Sequence, residues 1–578
     1  MFFRRKTTEG RTYLQIVESY REAGRVRQRV LLTLGRLDQL MESGELDRLL
    51  ASGARFSEQL GLLQELDAGL AEARLSCRRI GGPLVFGRLW AETGIAAVLE
   101  ALLAERRFEF ALERAVFVAV LHRLFVSGSD RACEKWMADY RVEGAEDLQL
   151  HHFYRAMAWL GEELGSEDDS PLGPEPRLPS ARRCVKDLIE EQLFFRRRDL
   201  FSDLSVIFMD TTTLFFTGAG GESLGARGYS KDHRPELMQM VLGLVVDGQG
   251  RPICTEMWPG NTADVKVLLP MVERLKERFA IARVCVVADR GMISKETIAA
   301  LEARGLDYIL GARERSDPLV RELVLADEAP FVPLVVPRGK RETRLEAKVV
   351  MVAGRRHIVC RNEAEAEKDA QDRAAVLEGL ERQLARGDKA LVGNTAYRRF
   401  LKTAGPHFAI DHTKVESEAR FDGITVLRTN TTLGPLQAML RYRELLMVED
   451  LFRQAKSLLR TRPIYHSSDA AIRGHVFCSF LALVLRRELM ERCRARGETP
   501  EWLDVLLDLD RLQEATVTRG AHSYTLRTEA TGTTASLFKA ARLGLPPRIT
   551  TEEPTRRKRR PNRPKTRRGR PRRSATAS

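Results

Sequence analysis

Three acidic residues stand where chemistry can be done. Asp210 closes the apolar run SVIFMD and is followed by Thr211-Thr212-Thr213, and Asp289 closes ARVCVVAD and is followed by Arg290-Gly291-Met292. In open α/β sheets ligands gather at the carboxyl ends of strands, and apolar strand interiors exclude charge, so an acid at such an end is placed to meet a metal. Either aspartate alone reads equally as a turn residue or a helix cap. The third acid, Glu449, lies in YRELLMVEDLFRQAK (442–456), where Tyr442, Glu449 and Lys456 are seven residues apart. At ~100° per residue, seven steps return to within ~20° of the start. A helix here therefore puts a phenol, a carboxylate and an amine on one stripe, with Leu446, Val448 and Phe452 nearby to hold it down. A solvated stripe of charge pairs accounts for the same spacing.

These acids need a sheet and a helix to carry them. Leu204–Asp210, Met238–Asp247, Pro252–Trp258, Ala282–Asp289 and Leu306–Gly311 read as strands, the second and third joined by the turn Asp247-Gly248-Gln249-Gly250. Val265–Phe279 is an amphipathic helix, and Ser294–Arg304 is a helix with Ser294 as N-cap and Gly305 just past its end. Strands alternating with helices predict a sheet covered on both faces. Residues 312–430 break that rhythm with strands Leu345–Val352, His357–Arg361 and Gly423–Thr429 and the charged helix Ala364–Arg386, and read as an insertion. Long helices are expected near Leu436–Arg460 and Asp469–Arg492. Upstream, residues 12–35 pattern as a β-hairpin about Glu22-Ala23-Gly24-Arg25.

The chain then divides into a hairpin (1–36), a helical region (37–165), a linker and lead-in helix (166–200), a core in two parts (201–311 and 431–495) around the insertion (312–430), a C-terminal region (496–553) and a disordered basic tail (554–578). The tail, including Arg556, Arg557, Lys558, Arg559 and Arg560, carries twelve basic residues between Arg556 and Arg573. Of a net charge of +14, that leaves +2 for the rest. A polycation seeks phosphate or anionic lipid. The eight cysteines are scattered without a CxxC pair, which argues against zinc knuckles and a disulfide framework. No signal core is evident and no apolar run spans a bilayer, so a cytoplasmic protein with no membrane partner is expected. The Gly-rich stretch GAGGESLGARG lacks the spacing and the GK[ST] of a phosphate-cradling loop. It reads as a flexible loop leading into Tyr229, Lys231, His233 and Arg234, a polar cluster able to touch DNA or a plain surface loop. Asn261 and Asp264 read first as a turn and a helix cap and second as contacts at the rim of the site, and His466 and His475 as supports for the last long helix.

Residues 442–456 resemble the Y-x2-R-x3-E-x6-K signature of the insertion sequence 4 superfamily of transposases, with Tyr442, Glu449 and Lys456 matching its Tyr, Glu and Lys. Leu445 stands where the signature has Arg, and Arg443 is two residues away. VESYREAGRVRQRVLLTLG, GYSKDHRPELMQMVLGLVVDGQGRPI, EMWPGNTAD, VVADRGMIS, FDGITVLRTN and RPIYHSSDAAIRGHVF look like the insertion sequence 1634 group. The resemblance implies an α/β fold with an RNase H-like core and a mostly β insertion domain, preceded by an N-terminal β-hairpin and a helical, DNA-end-binding domain. It implies catalytic and metal-binding roles for Asp210, Asp289 and Glu449, with two Mg²⁺ ions per site that Mn²⁺ can replace. Asp210 then lies between the ions, and Asp289 and Glu449 each complete one site.

The implied partners are double-stranded DNA, both the terminal repeats of the element and its target, and a second copy of the chain in a synaptic complex. The implied setting is bacterial, cytoplasmic and nucleoid-associated. Tyr442, Arg443, Lys456, Lys231, His233, Arg234, Arg290 and the basic tail are the expected DNA contacts. The expected activity is endonucleolytic cleavage at insertion-sequence ends followed by strand transfer. The alternatives are a domesticated nuclease with the same core, or a DNA-binding protein with a dead core. No Trp falls within 312–430, which leaves a hairpin route through a base-stacking Trp without its residue. A two-carboxylate glycosidase lacks support, since aromatics make up only 7% of the chain.

Overall fold

The computed structural model describes residues 1–22, 25–54, 74–165, 183–197, 206–279, 281, 284–313, 316–338, 341–385, 397, 399–404, 407–458, 461–519 and 522–552. The expected turn at 23–24, the linker 166–182 and the basic tail lie outside them. The chain forms two compact units.

The first unit draws on both ends of the chain. Its N-terminal sheet has three antiparallel strands, β1 (Phe2–Thr8), β2 (Arg11–Glu22) and β3 (Arg25–Arg36). β1 joins β2 through Glu9 (φ 50°) and Gly10 (φ 75°). A two-residue loop with both residues in the left-handed region matches the right-handed twist of paired strands. The second sheet pairs β4 (Arg74–Arg79) with Gln513–Arg519, which continues into His522–Arg527 and Ile549–Glu552. The sequence predicts helix throughout 37–165, and β4 corrects that. Its partner lies more than 400 residues away, where no local periodicity can reveal it.

The second unit holds the helices and the large sheet. Helix α1 (Leu112–Phe125) is buried almost all round, and α2 (Asp130–Met137) and α3 (Leu150–Leu160) pack beside it. Both α1 and α3 lie against the long helix Asp469–Ala495. The crossing with α3 is close because it uses glycine on both sides. A Cβ on Gly474 would stand 2.0 Å from the Met157 carbonyl oxygen, and one on Gly161 would stand 2.0 Å from that of Ala470. Backbone cannot yield as a flexible side chain can, and overpacking costs about 1–3 kcal/mol or more. Gly474→Ala is therefore expected to destabilise this unit by roughly 3 kcal/mol. A urea titration checks it, and an unchanged midpoint would show that the helices simply part.

The large sheet has nine strands. β5 (Val206–Phe215) runs between β6 (Gln239–Asp247), antiparallel, and β8 (Cys285–Ala288), parallel. β7 (Pro252–Pro259) flanks β6 antiparallel, and β9 (Asp307–Gly311) flanks β8 parallel. The insertion supplies β10 (Val332–Arg338), β11 (Arg341–Val352), β12 (Arg355–Arg361) and β15 (Ile424–Thr429), all antiparallel, and β15 pairs with β9. It also carries the small hairpin β13 (Leu401–Ala404) and β14 (His407–Ile410). The insertion thus extends the core sheet.

Helices cover both faces. On one, α4 (Val185–Arg197), α5 (Leu268–Phe279) and α6 (Lys295–Ala303) meet Ile207, Met209, Val241, Val245, Val286 and Ala288. Each fully buried Val, Ile or Met among them contributes about 1.5–3 kcal/mol. Ser294 caps α6, its hydroxyl accepting from Thr297 N at 3.1 Å, and Gly305 follows it with φ 64°. The charged helix α7 (Glu363–Leu384) belongs to the insertion. On the opposite face, Leu242 and Leu244 of β6 meet Phe452, Val476 and Phe480. Phe452 comes from α9 (Leu446–Arg453), which follows α8 (Pro435–Arg443), and Val476 and Phe480 come from α10 (Asp469–Ala495). Because strand side chains alternate, each strand of the middle of the sheet must be apolar on both sides.

Candidate active site

Two of the three acids, Asp210 and Asp289, are set side by side by register. Met209 of β5 pairs with Ala288 of β8 at the end of their parallel ladder. Asp210 and Asp289 are the next residue on each strand, and neighbouring strands lie about 4.8 Å apart. Met209 and Ala288 point into the core on the α5 face, so alternation turns Asp210 and Asp289 to the other face, the one that carries α9. The sequence predicts that β5 ends at Asp210. It runs on to Phe215, because antiparallel pairing with β6 continues to Phe215↔Gln239 after β8 has stopped. Asp210 therefore sits in a notch where one neighbouring strand has ended and the other has not.

Glu449 comes from the helical layer above. The expected single helix Leu436–Arg460 is broken: α8 ends at Arg443, Glu444 and Leu445 form a tighter turn, α9 runs from Leu446 to Arg453, and a π turn covers Gln454–Leu458. The seven-residue stripe is therefore not continuous. Tyr442 turns to Asp289, Glu449 stays exposed, and Lys456 turns to Asp232. Val448, Leu451 and Phe452 hold α9 down, whereas Leu446 is 54% exposed and does not. Leu445, at the signature's Arg position, is buried and cannot hold a phosphate. Asp289, Tyr442, Arg443 and Glu449 line one cleft of about 210 Å³, whose other wall includes Asn362 and Glu365.

The site carries uncompensated negative charge. Burial pushes the Asp210 carboxyl up to about 6, and the carboxylates of Asp289 and Glu449 push in the same direction. Lys231 opposes them. Its ammonium donates to Thr211 O at 2.7 Å and Thr211 Oγ1 at 2.8 Å and pairs with Asp264 Oδ2 at 3.2 Å. Asp264 in turn accepts from Thr211 Oγ1 at 2.8 Å. Tyr442 Oη donates to Asp289 Oδ1 at 3.0 Å. Gly311, at the end of β9, makes room for it, since a Cβ there would stand 2.3 Å from the hydroxyl.

Among the described residues no group of three or more His, Cys, Asp or Glu is closed tightly enough to hold a metal as it stands. The donor chemistry nonetheless fits one. Asp210, Asp289 and Glu449 act on one another electrostatically, and carboxylate oxygen is the ligand that Mg²⁺ and Mn²⁺ take.

The other expected contacts are scattered. Arg443 lines the cleft and Arg290 is exposed just after Asp289. His233 is exposed with φ 57°, and Arg234 pairs with Glu236 and lies 5.9 Å over the Phe215 ring. The Gly-rich stretch expected as a flexible loop is fastened instead: the amides of Glu222, Ser223 and Leu224 donate to the Asp469 carboxylate at the start of α10. His475 lies within α10, buried, 2.9 Å from Arg123 and 3.1 Å from the Thr461 carbonyl. Asp264, read from sequence as a cap first, is a member of the site, and Thr211, Gly311, Asp232 and Arg462 were not singled out at all. Only Asp264 carried a signal, its place in PGNTAD.

A family model described as "Transposase DDE domain" matches residues 201–485, and one described as "IS1634 family transposase, N-terminal domain" matches residues 3–67. The first spans every element that carries the three acids. The chain belongs to the DDE transposases, in the IS1634 group. No curated protein matches it. Its business is thus DNA transposition, and it acts on DNA. Among the described residues no helix is long and apolar enough to cross a membrane.

Tyr442 fixes one oxygen of Asp289, and hydrogen bonds to a charged group are worth about 1.5–3 kcal/mol. Tyr442→Phe is expected to lower end cleavage by roughly 10–100-fold and to raise the Mg²⁺ concentration needed for half-maximal rate. Kinetics across a Mg²⁺ titration check this; an unchanged Mg²⁺ requirement would detach Tyr442 from Asp289's role.

Proposed function

We propose that Asp210, Asp289 and Glu449 are the catalytic acids of a nuclease and strand transferase. It cuts DNA at the ends of its insertion sequence and joins the freed ends to target DNA. The observation that carries this is the register of Asp210 and Asp289, one step past the last β5–β8 pair and on the face from which α9 brings Glu449. The strand order β7-β6-β5-β8-β9, with three antiparallel strands followed by two parallel ones, supports an RNase H-like core.

In the first step a water oxygen attacks the phosphorus at the element's end, the P–O3′ bond breaks, and the released strand keeps a 3′-OH. In the second, that hydroxyl attacks a target phosphodiester and a new P–O bond replaces an old one. No protein nucleophile is needed. Asp210, Asp289 and Glu449 would hold two Mg²⁺ ions, which when bound would supply activation of the attacking oxygen and charge neutralisation at the leaving oxygen. Tyr442 orients Asp289, and Thr211 and Asp264 fix the Lys231 ammonium beside Asp210. Lys456 meets a backbone phosphate as a point charge, and Arg443 reaches DNA from the rim of the cleft. Two copies of the chain hold the two ends together.

The test incubates purified protein with duplexes carrying the element's own ends. Nicks at those ends in Mg²⁺ or Mn²⁺, absent in EDTA, are the expected result. Undiminished cutting in EDTA would sink the assignment.

A further inference from the structure

Lys456 and Arg462 converge on one carboxylate. Lys456 Nζ donates to Asp232 Oδ1 at 2.9 Å, and the Arg462 guanidinium pairs with Oδ2 of the same group. The three side chains are 13%, 25% and 8% exposed. They come from separate segments: Lys456 from the π turn after α9, Arg462 from the connection into α10, and Asp232 from the loop between β5 and β6. The cluster is tied to the acid site at both ends. Lys231, the neighbour of Asp232, is anchored at Thr211 and Asp264. Arg462 also lies 5.3 Å over the ring of Phe215, at the far end of the strand that carries Asp210.

Two cations on one anion leave a surplus of positive charge beside a site that is otherwise acidic. A phosphodiester presents what this carboxylate presents: two oxygens sharing one negative charge, able to take one cation each. Among the described residues, Oδ2 of Asp232 has the ion pair with Arg462 and no hydrogen bond.

We infer that Lys456 and Arg462 form a two-cation clamp for a backbone phosphate of the DNA strand entering the site, and that Asp232 fills this clamp while DNA is absent. This rests on the proposal that the neighbouring carboxylates cut DNA. Arg462 is then a binding residue in its own right, and Asp232 is an internal competitor whose displacement accompanies loading. Each phosphate neutralised on duplex DNA adds about 0.9 to the slope of log affinity against log salt.

The experiment measures binding of a labelled duplex carrying the element's terminal sequence, in EDTA so that nothing is cut, across a salt series. Arg462→Gln is expected to bind several-fold more weakly and to lose about 0.9 from the slope, as Lys456→Gln does. Asp232→Asn is expected to bind several-fold more tightly than wild type, and the gain should vanish in the Asp232→Asn/Arg462→Gln double variant. Arg462→Lys keeps the charge and should keep the slope. Matching thermal melts guard against misfolding, with Asp232→Ser as a second substitution. A wild-type slope in Arg462→Gln, or weaker binding by both Asp232 variants, would overturn the clamp. The cutting role of the carboxylates fails separately, if Glu449→Gln still cleaves. A wild-type chain that binds no DNA overturns both.

Discussion

Glu449→Gln is expected to leave end binding within about twofold of wild type and to lower end cleavage by at least a thousandfold, equivalent to about 4 kcal/mol of transition-state stabilisation. Glutamine keeps the shape and the exposure of the side chain on α9 but removes its charge, and a neutral amide is a poor ligand for a hard divalent ion. The fold should not notice, because Val448, Leu451 and Phe452 carry the packing of that helix. Gel-shift and cleavage assays on the same preparation separate the two effects. Equal cutting by both proteins would make Glu449 a surface residue of the cleft and leave the metal chemistry to other groups. Loss of binding together with cleavage would instead place it in DNA recognition.

Arg278→Gln acts on stability. Arg278, on α5, is 6% exposed and pairs with Asp187, Glu190, Glu191 and Glu256. Glu190 Oε2 lies 2.6 Å from its guanidinium. Lys186 and Arg274 complete the group. Burial alone would raise the Asp187 carboxyl, but Lys186, Arg278 and Arg274 hold it well below the usual carboxylate range. Removing one cation leaves buried carboxylates uncompensated, which costs about 3–5 kcal/mol. The melting temperature is expected to fall by roughly 5–15 °C. Arg304→Gln, which breaks the exposed pair with Glu273 and a hydrogen bond to the Ala300 carbonyl, should cost less than about 1 kcal/mol. If the two variants melt together, the buried network contributes no more than a surface pair.

What the sequence made legible was local. The apolar runs before Asp210 and Asp289, the capped helix after Ser294 and the insertion strands β11, β12 and β15 each announce themselves within a dozen residues, whereas β10, β13 and β14 do not. The placement of Glu449 on a helix announced itself as well. What it hid depends on pairing at a distance or on two adjacent residues. β5 outruns Asp210 because β6 continues beside it. β1 turns on Glu9-Gly10, a pair too short to weigh in a periodicity. The break at Glu444–Leu445 follows no proline or glycine, so nothing marks it. The clamp around Asp232 joins residues 224 and 230 positions apart, and the Arg278 network binds a lead-in helix to β7 and α5 through charges that look, in the sequence, like solvated surface. Buried ion pairs of this kind are invisible to hydropathy, which scores their members as exposed.

The sheet formed by β4 and the C-terminal strands bears on how related genes should be counted. Insertion sequences that decay accumulate premature stops, and a copy ending anywhere between Ala495 and Gln513 would keep Asp210, Asp289, Glu449 and the whole nine-stranded sheet. It would still lack every strand that pairs with β4. Intactness judged by the three acids alone would score such a remnant as whole, so a census of working copies should ask for the last sixty-odd residues as well.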